Sequence, residues 1–358
     1  MIDLPEQVKI FTETVKNNGF ECYVVGGAVR DLLLNRETKD WDFTTNATPE
    51  QIQEIFPESF YDNAYGTVGI KIENGEIYEI TPFRKEGKYS DLRHPDQVTW
   101  AKSIEEDLAR RDFTVNAMAF TDKIIDPFGG QQDIKNKMIR GVGNPNDRFN
   151  EDALRMIRAI RIATQLGFTI EENTFKAIQD NAQLITNISS ERIRDELIKI
   201  FSSDYPADGL KLLLNAGLLQ YILPELTAGI GMRQPGHHIS DVFTHSIDAL
   251  KECKNENWVV RFATLLHDIG KPATYKEIGG KPTFYNHEVV GAHIAKDIAN
   301  RLHFSKIDRD KLYTLVRWHM FLVSEFLTDS AIRRFIRRVG PENTTDMLDL
   351  RIADRLGS

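Results

Sequence analysis

Apolar and polar positions follow two different patterns along the chain, and the change falls at about residue 145. Before it, short apolar runs of strand length are mixed with helical patterns. Beyond it, apolar residues recur at i, i+3 and i+4, over residues 152–166, 174–184 and 193–201. The pattern predicts a head of mixed strands and helices over residues 1–125, followed by an all-helical remainder.

Local signals predict the order of elements in the head. A helix over residues 8–18 ends at Gly19, and a strand over residues 20–25 leads into a glycine turn. Asn74-Gly75 stands between two strand-like runs, which predicts a β-hairpin. The other predicted elements are a helix over 28–34, a helix with Thr48 as N-cap and Pro49 at its first position, and strands over 41–44, 67–72 and 76–83.

Composition is that of an ordinary globular protein, with 41% apolar and 27% charged residues. The 358 residues are enough for about two to four packing units. No apolar run reaches the ~18 residues of a membrane span, and the acidic N-terminus lacks the features of a signal peptide. Cys22 and Cys253 match no disulfide or metal pattern, which favours a reducing cytoplasm. The net charge of −8 argues against an overall basic nucleic-acid binder, although a local basic stripe can still bind phosphate.

The most informative motif joins a glycine turn to two nearby carboxylates. Gly26 and Gly27 let backbone N–H groups approach an anion closely. Asp40 and Asp42 stand two residues apart, so on an extended strand they share a face. Their oxygens suit Mg²⁺, and the combination predicts chemistry on a nucleoside triphosphate. Glu79 on the next hairpin is either a third carboxylate or an exposed strand residue.

Two adjacent arginines form a second cluster. Neighbouring residues point in different directions on a regular element, so we expect only one of Arg110 and Arg111 to reach a triphosphate. The other is then available to pair with Asp107 or Glu106.

A carboxylate and a guanidinium three residues apart, Asp152 and Arg155, form a third cluster and would be neighbours on a helix. The carboxylate can accept from an exocyclic amine while the guanidinium donates to a ring nitrogen, which would select cytosine and adenine over uracil and guanine. The alternative is a surface ion pair worth less than about 1 kcal/mol, and spacing alone favours that alternative. Arg158 and Arg161 continue at the same step, but Arg161 falls nearly opposite Asp152 on a helix.

Histidines and aspartates form a fourth cluster in the last third of the chain. His267 and Asp268 are adjacent, and further histidines and an aspartate lie on predicted helices. Imidazole and carboxylate together suit a divalent transition metal, which we favour over a set of buried core histidines. The members are His245, His267, Asp268, His287, His319 and Asp354.

These motifs resemble those of the class II tRNA nucleotidyltransferases, which are the CCA-adding enzymes and their poly(A) polymerase relatives. The resemblance runs from the glycine turn and the Asp-Trp-Asp motif, through the Arg-Arg-Asp and Glu-Asp-Ala-Leu-Arg motifs, to a C-terminal region similar to HD domains. It implies an α+β fold, with a polymerase-β-like head on a small mixed sheet and all-helical neck, body and HD regions. The implied regions are a catalytic head over 1–140, a neck for base recognition over 141–185, an RNA-binding body over 186–235 and an HD domain over 236–358.

The resemblance also implies the roles of individual residues. It selects Arg111 over Arg110 for the triphosphate and makes Asp152 and Arg155 the base-reading pair. The implied nucleotide contacts are Gly27, Arg30, Arg111, Asp152, Arg155, Arg158 and Arg161, with Asp40 and Asp42 catalytic and holding Mg²⁺. The implied ligands of a second divalent metal are His245, His267, Asp268 and Asp354, and His287 and His319 fall where some HD proteins supply further ligands.

The implied function is template-independent addition of C, C and A to the tRNA 3′ end from CTP and ATP. Relatives that add only CC lack a flexible loop that is full length here, over residues 84–95, and we expect this loop to act as a mobile lever for adding the terminal A. The open alternatives are an A-adding enzyme, a poly(A) polymerase and, from a different class, an HD phosphohydrolase whose head binds RNA. Family members often carry more helix after the position of Asp354, which predicts that this chain is a truncated or unusually short form.

Overall fold

The structure is a computed structural model that describes residues 3–38, 40–61, 66–72, 75–87, 98–234, 240–321 and 328–358. The chain divides into two compact units, one of residues 1–159 and 168–181 and the other of residues 160–167 and 182–358. The four regions predicted from the sequence are a finer division, which stays a prediction. Most of the predicted lever, from residue 88 onward, lies outside the described residues.

A small mixed sheet forms the centre of the first unit. The strands of this unit are β1 (Cys22–Val25), β2 (Asp42–Thr45), β3 (Phe60–Tyr61), β4 (Val68–Lys71), β5 (Ile77–Pro82), β6 (Arg84–Glu86), β7 (Val98–Trp100), β8 (Ala119–Phe120), β9 (Ile124–Ile125), β10 (Met138–Ile139) and β11 (Thr169–Ile170). The seven-stranded sheet has the order β3-β4-β5-β2-β1-β8-β9, in which only β2 and β5 run parallel. β6 and β7 form a separate hairpin, and β10 pairs with β11.

The first unit also contains helices. They are α1 (Glu6–Asn17), α2 (Gly27–Leu33), α3 (Pro49–Ile55), α4 (Ile104–Ala109), a 3₁₀ turn (Thr114–Asn116), α5 (Gly130–Lys135), α6 (Pro145–Glu151), α7 (Leu154–Leu166, which continues into the second unit) and α8 (Glu172–Asn181). Of these, α1, α2 and α3 pack against the sheet. Phe11 of α1 packs against Phe43 of β2, with ring centroids 4.4 Å apart, so the core fixes the strand that begins at Asp42. The predicted cap is confirmed, because the Thr48 side chain accepts from the Gln51 backbone N–H at the start of α3.

Over its described residues, the second unit is helical apart from a hairpin over residues 276–283. Its helices are a 3₁₀ segment (Ala182–Asn187), α9 (Ser190–Phe201), α10 (Pro206–Asn215), α11 (Leu219–Ile222), α12 (Pro224–Thr227), α13 (Val242–Glu252), α14 (Trp258–Leu266), α15 (Lys271–Thr274), α16 (His287–Arg301), α17 (Lys306–Trp318), α18 (Asp329–Val339), a 3₁₀ turn (Pro341–Asn343) and α19 (Thr344–Leu356). α13 packs against α14 and α19, and α17 packs against α14 and α16.

The hairpin of β12 (Lys276–Ile278) and β13 (Lys281–Thr283) departs from the all-helical expectation. Gly279 and Gly280 join its strands with φ of 60° and 74°, which only glycine adopts readily at two consecutive positions. Among the helices of the described residues, none is both long enough and apolar enough to cross a membrane.

Candidate active site and candidate metal centre

The glycine turn meets the aspartate motif at the end of two paired strands. β1 and β2 pair antiparallel with Val25 opposite Asp42, and Gly26 follows directly with φ of 71°. A Cβ atom added at Gly26 would lie 3.1 Å from Arg111 Nη1 and 3.8 Å from Asp42 Oδ2. The backbone angle and the tight approach both favour glycine here. The turn therefore brings backbone, carboxylate and guanidinium to one place.

Three carboxylates lie on or beside neighbouring strands of the sheet. Asp40 and Asp42 are exposed while Trp41 between them is buried, as expected for alternate residues on extended backbone. Asp40 itself lies just before β2, which begins at Asp42. β2 and β5 place Asp42 directly opposite Glu79, so these two side chains share a face. The sequence left the role of Glu79 open because this register joins strands that are distant in the chain.

The carboxylate set fits a hard divalent cation. Desolvation raises the pKa of Asp42, Arg111 opposes that rise, and the like charge of Asp40 adds to it. Carboxylates that repel one another in this way are stabilised by a cation between them, and oxygens are the preferred ligands of Mg²⁺. Asp40 and Asp42 are the residues that would hold it.

Arg30, a predicted nucleotide contact, is fixed by its neighbours. Its Nε and Nη2 each donate to Asp31 at 2.9 Å, and its Nη1 donates to Asn116 Oδ1 at 2.8 Å. Gly27 lies against this guanidinium, since a Cβ atom at Gly27 would be 3.4 Å from Arg30 Nη2. The structure therefore brings Gly27 and Arg30 together at the start of α2.

Arg110 pairs with Asp107, one of the two partners that the sequence predicts, and Arg111 shares the same carboxylate. Both guanidiniums pair with Asp107, Arg110 Nη2 at 2.7 Å from Oδ1 and Arg111 Nη2 at 3.2 Å from Oδ2. The two arginines follow α4 at three and four residues from Asp107, and both of these spacings lie on the same side of a helical turn. Glu106 instead accepts from the Lys102 backbone N–H. Arg111 Nη1 still points to the glycine turn, as described above.

Asp152 and Arg155 are not neighbours on one helix. α6 ends at Glu151 and α7 begins at Leu154, so Asp152 lies between them, where its Oδ1 accepts from the Leu154 N–H at 3.0 Å. An aspartate at this position caps a helix start, and the apolar repeat does not reveal the break. Arg155 pairs with Glu151, with Nη1 2.6 Å from Oε2, and its Nη2 donates to the Arg110 carbonyl at 3.3 Å.

The remaining predicted arginines have different partners. In the first unit, Arg158 pairs with the buried Asp112, with Nη2 2.6 Å from Oδ2. Burial would raise the pKa of Asp112, but Arg158 and Arg155 lower it to about 2. Arg161 lies in the second unit and forms an ion pair there with Glu196, with Nε 2.6 Å from Oε2.

Four histidines and two aspartates form a buried cluster in the second unit, drawn from α13, α16 and α19 and from the turns that follow α14 and α17. All six residues singled out by the sequence are present, including the two that the sequence named only as further ligands. They are His245, His267, Asp268, His287, His319 and Asp354.

Two sets of ligand atoms share the carboxylate of Asp268. In the first set, His267 Nε2 lies 3.2 Å from Asp268 Oδ2 and 3.2 Å from His245 Nε2. Asp354 adds an oxygen 3.1 Å from His245 Nε2.

In the second set, His287 Nε2 lies 3.2 Å from Asp268 Oδ1 and 3.4 Å from His319 Nε2. One carboxylate oxygen of Asp268 therefore faces each set, and these residues would hold divalent cations.

The hydrogen bonds of the four imidazoles fix the atoms that face the cluster. Each Nδ1 contacts a backbone carbonyl, which can only accept, so Nδ1 carries a proton and Nε2 is the atom that faces the cluster. Metal-ligating histidines commonly use this arrangement. The contacts are His245 to Gly357 at 3.2 Å, His267 to Thr264 at 2.7 Å, His287 to Phe284 at 2.9 Å and His319 to Val316 at 2.8 Å.

The buried charges of the cluster also favour binding of a cation. Burial lowers the pKa of His267, but Asp268 and Asp354 beside it raise that pKa to about 10. Burial and the nearby charge of His267 lower the pKa of His319 to about 3. Lys271 and Arg351 also pair with these carboxylates, and a metal ion held by the imidazoles would displace the proton of His267. The donor set fits a divalent transition metal.

Profiles of three known families match successive parts of the chain. They are the "Poly A polymerase head domain" over residues 22–140, the "Probable RNA and SrmB- binding site of polymerase A" over residues 167–230 and the "HD domain" over residues 241–357. The mixed sheet, the carboxylate site and the histidine cluster agree with these matches. Together they define the class of the protein, a nucleotidyltransferase-type head followed by helical regions that include an HD domain.

One solved structure places the chain in a particular family. The Bacillus stearothermophilus CCA-adding enzyme in complex with CTP has a TM-score of 0.76 and 30% sequence identity, over 97% of this chain and 77% of that chain. The chain belongs to the CCA-adding enzyme family. The family resemblance and the α+β fold class inferred from the motifs are both confirmed.

Curated relatives are more similar in sequence but over a shorter length. The CCA-adding enzyme of Geobacillus sp. (strain WCH70) is 48% identical over 213 residues, 59% of this chain and 52% of the relative. That of Lactobacillus helveticus (strain DPC 4571) is 47% identical over 209 residues, 58% of this chain and 52% of the relative. The chain therefore spans about half the length of these relatives. The Thermotoga maritima CCA-adding enzyme complexed with tRNA-CCA shares the fold, with a TM-score of 0.66 and 18% identity over 98% of this chain and 79% of that chain.

Proposed function

We propose that this chain is a tRNA nucleotidyltransferase that adds C, C and A to the tRNA 3′ end from CTP and ATP, with Mg²⁺ and without a template. The observation that carries the proposal is the convergence of Gly26, Asp42 and Arg111 at the end of β1 and β2. This arrangement offers a carboxylate for a cation and a guanidinium for a phosphate within one small space. A family member of known structure binds CTP, which supports the same ligand here.

Different residues of the head have different proposed roles in nucleotide addition. Asp40 and Asp42 would hold Mg²⁺, with Glu79 beside them. When bound, Mg²⁺ supplies charge that favours attack by the tRNA 3′-hydroxyl and departure of pyrophosphate. Arg111 and Arg30 bind and orient the triphosphate, since neither is free to swing away from its carboxylate or amide partner.

Base choice rests on Asp152 and Arg155 in this proposal. The carboxylate of Asp152 accepts from the exocyclic amine of cytosine or adenine, and Arg155 donates to the ring nitrogen beside it. Glu151 and the Arg110 carbonyl hold the Arg155 guanidinium, which restricts the direction of its remaining donors. Gly27, Arg158 and Arg161 complete the proposed nucleotide contacts. The four proposed regions end at residues 140, 185, 235 and 358. In this proposal the neck, 141–185, reads the base and the body, 186–235, binds RNA.

The basic helix α18 supports an RNA partner for this acidic protein. Four arginines on α18 are exposed, and only Arg333 has a carboxylate within reach among the described residues, Asp329 at 4.0 Å. Such a stripe suits the phosphates of RNA. We infer action in the cytoplasm. Cys22 and Cys253 are buried and free, which agrees with a reducing compartment, and a tRNA substrate agrees with the same location.

Supplying each nucleotide separately tests the proposal. With tRNA that ends at the discriminator base, CTP alone should extend the 3′ end by up to about two residues, and UTP or GTP alone should react about 10- to 100-fold more slowly, because the polar pair rejects uracil and guanine. An A-adding enzyme would use ATP only on tRNA that already ends in CC. A poly(A) polymerase would add a long run of A, and either outcome would replace the proposal.

The histidine cluster supports a second candidate function, a metal-dependent phosphohydrolase in the HD region. A cavity of about 680 Å³ opens onto the cluster, and its lining includes three basic side chains. Lys271 pairs with Asp268 and Arg351 pairs with Asp354, and with Arg355 they place positive charge beside the proposed metal ligands, which suits a phosphate group. Hydrolysis of a 2′,3′-cyclic phosphate by the metal-loaded protein, and its loss on Asp268→Ala, would support this activity. Hydrolysis without any nucleotide incorporation would make it the main function.

A further inference from the structure

Asp107, which the proposed mechanism does not use, is among the most connected side chains of the head. It is fully buried on α4, and its two oxygens accept from three different residues. Arg110 donates to Oδ1 from Nε at 3.0 Å and from Nη2 at 2.7 Å, and the Arg84 backbone N–H donates to the same oxygen at 3.3 Å. Arg111 Nη2 donates to Oδ2 at 3.2 Å.

Each partner of Asp107 leads to a different part of the head. Arg111 has its other amino group, Nη1, at the glycine turn beside Asp42. Arg110 uses its carbonyl to accept from Arg155, one of the proposed base-reading residues. Arg84 is the first residue of β6 and pairs across the hairpin with Trp100 of β7. One carboxylate therefore contacts the residue at the phosphate site, a neighbour of the base reader and the first strand of the hairpin.

The two arginines favour the ionised form of the buried Asp107. Burial would raise the pKa of Asp107, but Arg111 and Arg110 beside it lower that pKa below its ordinary value. Arg110 takes two of the hydrogen bonds and Arg111 takes one, through Nη2, while Arg111 Nη1 lies beside Gly26.

We propose that Asp107 is the positioning residue that directs Arg111 at the phosphates of the incoming nucleotide and ties the β6–β7 hairpin to the same arginine. The inference rests on the proposed function, because it takes Arg111 to bind the triphosphate. Asp107 touches neither the nucleotide nor the tRNA in this account. It acts by holding the Arg111 fork in one orientation, so that the nucleotide does not have to order that side chain on binding.

A double-mutant cycle on nucleotide binding tests the first half of the proposal. Asp107→Asn removes the charge and should raise KM for CTP by about tenfold or more, the usual cost of losing a charge-assisted hydrogen bond, with a smaller change in kcat. In an Arg111→Lys background, Asp107→Asn should raise KM by less than about twofold, because coupled residues are not additive. Equal effects in both backgrounds, or a fall in kcat alone, would show that Asp107 only supports the fold. Glu105→Gln makes the same charge change at an exposed residue of α4 and should leave KM unchanged.

Amide hydrogen exchange tests the second half without any activity. The Arg84 N–H should exchange faster in Asp107→Asn than in wild type or in Glu105→Gln, since its acceptor is weakened. Unchanged exchange at Arg84 would overturn the link to the hairpin. If wild type fails to incorporate CTP, the proposed function fails, but the exchange result still decides this link. If Asp107→Asn does not fold, Asp107→Glu, which keeps the charge but moves it by one methylene, takes its place in both tests under the same criteria.

Discussion

The head site and the HD cluster hold aspartates in opposite surroundings. Asp40 and Asp42 are exposed, and all their candidate ligand atoms are oxygens. Asp268 is buried among imidazoles, and His245 beside it is completely buried. Exposed carboxylates suit a cation that exchanges with each nucleotide, whereas buried nitrogens with fixed tautomers suit a cation that stays bound. In the proposed function, Asp40 and Asp42 would hold an exchangeable cation, whereas Asp268 would hold a retained one.

Removing a head carboxylate should have the largest effect. Asp42→Ala or Asp40→Ala should lower CTP incorporation by at least about 1,000-fold, because charge stabilisation by a metal ion is worth several kcal/mol in the transition state. Fold and tRNA binding should persist, as measured by thermal unfolding and gel shift, since both side chains are exposed. Asp122→Ala, at an exposed turn residue of the same unit, is the matched control. Robust incorporation by either active-site variant would sink the two-carboxylate mechanism.

The second-largest effect should be on bound metal, which distinguishes the HD cluster from the head site. After extensive dialysis, wild type should retain up to about two transition-metal ions and no Mg²⁺, because only the imidazole cluster binds tightly. His267→Ala should lose these ions. Its free energy of unfolding should fall by about 4 kcal/mol if the free metal concentration is ~1,000-fold above the Kd of the site. CTP addition should continue in this variant, because the cluster shares no residue with the head site.

The control for this variant is His293→Ala, which removes an exposed histidine of α16 outside the cluster. It should keep both the metal and the stability of wild type. Unchanged metal content in His267→Ala would make the histidines structural, and a complete loss of CTP addition would mean that the two sites are coupled.

The sequence predicted those features that depend on neighbours in the chain. The Thr48 cap and the hairpin around Gly75 rest on residues a few positions apart, so their signals are complete in the sequence. The position of Glu79 opposite Asp42 depends on parallel pairing between β2 and β5, which no local pattern contains. The helix break at Asp152 was missed because an aspartate caps a helix and also occurs inside one.

The HD cluster also combines features that the sequence predicts with features that it does not. The six residues of the HD cluster could be chosen from the sequence because histidine and aspartate are informative residue types. Their division into two sets around Asp268 could not, since it arises from the packing of α13, α14, α16, α17 and α19. The hairpin at Gly279 and Gly280 is different, because two consecutive glycines are a local turn signal that the all-helical prediction does not use.

Changing the proposed base reader should alter specificity without removing activity. Asp152→Asn offers an amide N–H₂ that can donate to the O4 of uracil, so the preference for CTP over UTP should fall by about 10- to 100-fold. The ratio of kcat/KM for the two nucleotides measures this, with Asp147→Asn at an exposed residue of α6 as the control. An equal loss with all four nucleotides would mean that Asp152 positions the ligand but does not read it.

The smallest effect concerns the stability of the head. The folded pKa of Asp112, about 2, lies below the unfolded value, so its contribution is present above about pH 4 and is lost as pH falls toward 2. Asp112→Asn should therefore lower the free energy of unfolding at pH 7 by about 2 kcal/mol and flatten its fall between about pH 4 and 2. Urea titrations at several pH values measure both, with Asp122→Asn as the control. A variant with the acid sensitivity of wild type would show that the Arg158 pair does not stabilise the head.

Sequencing the 3′ ends of tRNA after reaction with CTP and ATP together tests the central claim most directly. Starting from tRNA that ends at the discriminator base, wild type and His267→Ala should both produce ends that read CCA, and Asp42→Ala should leave the substrate unchanged. Ends that stay at the discriminator base with wild type, or that carry A without C, would contradict the account.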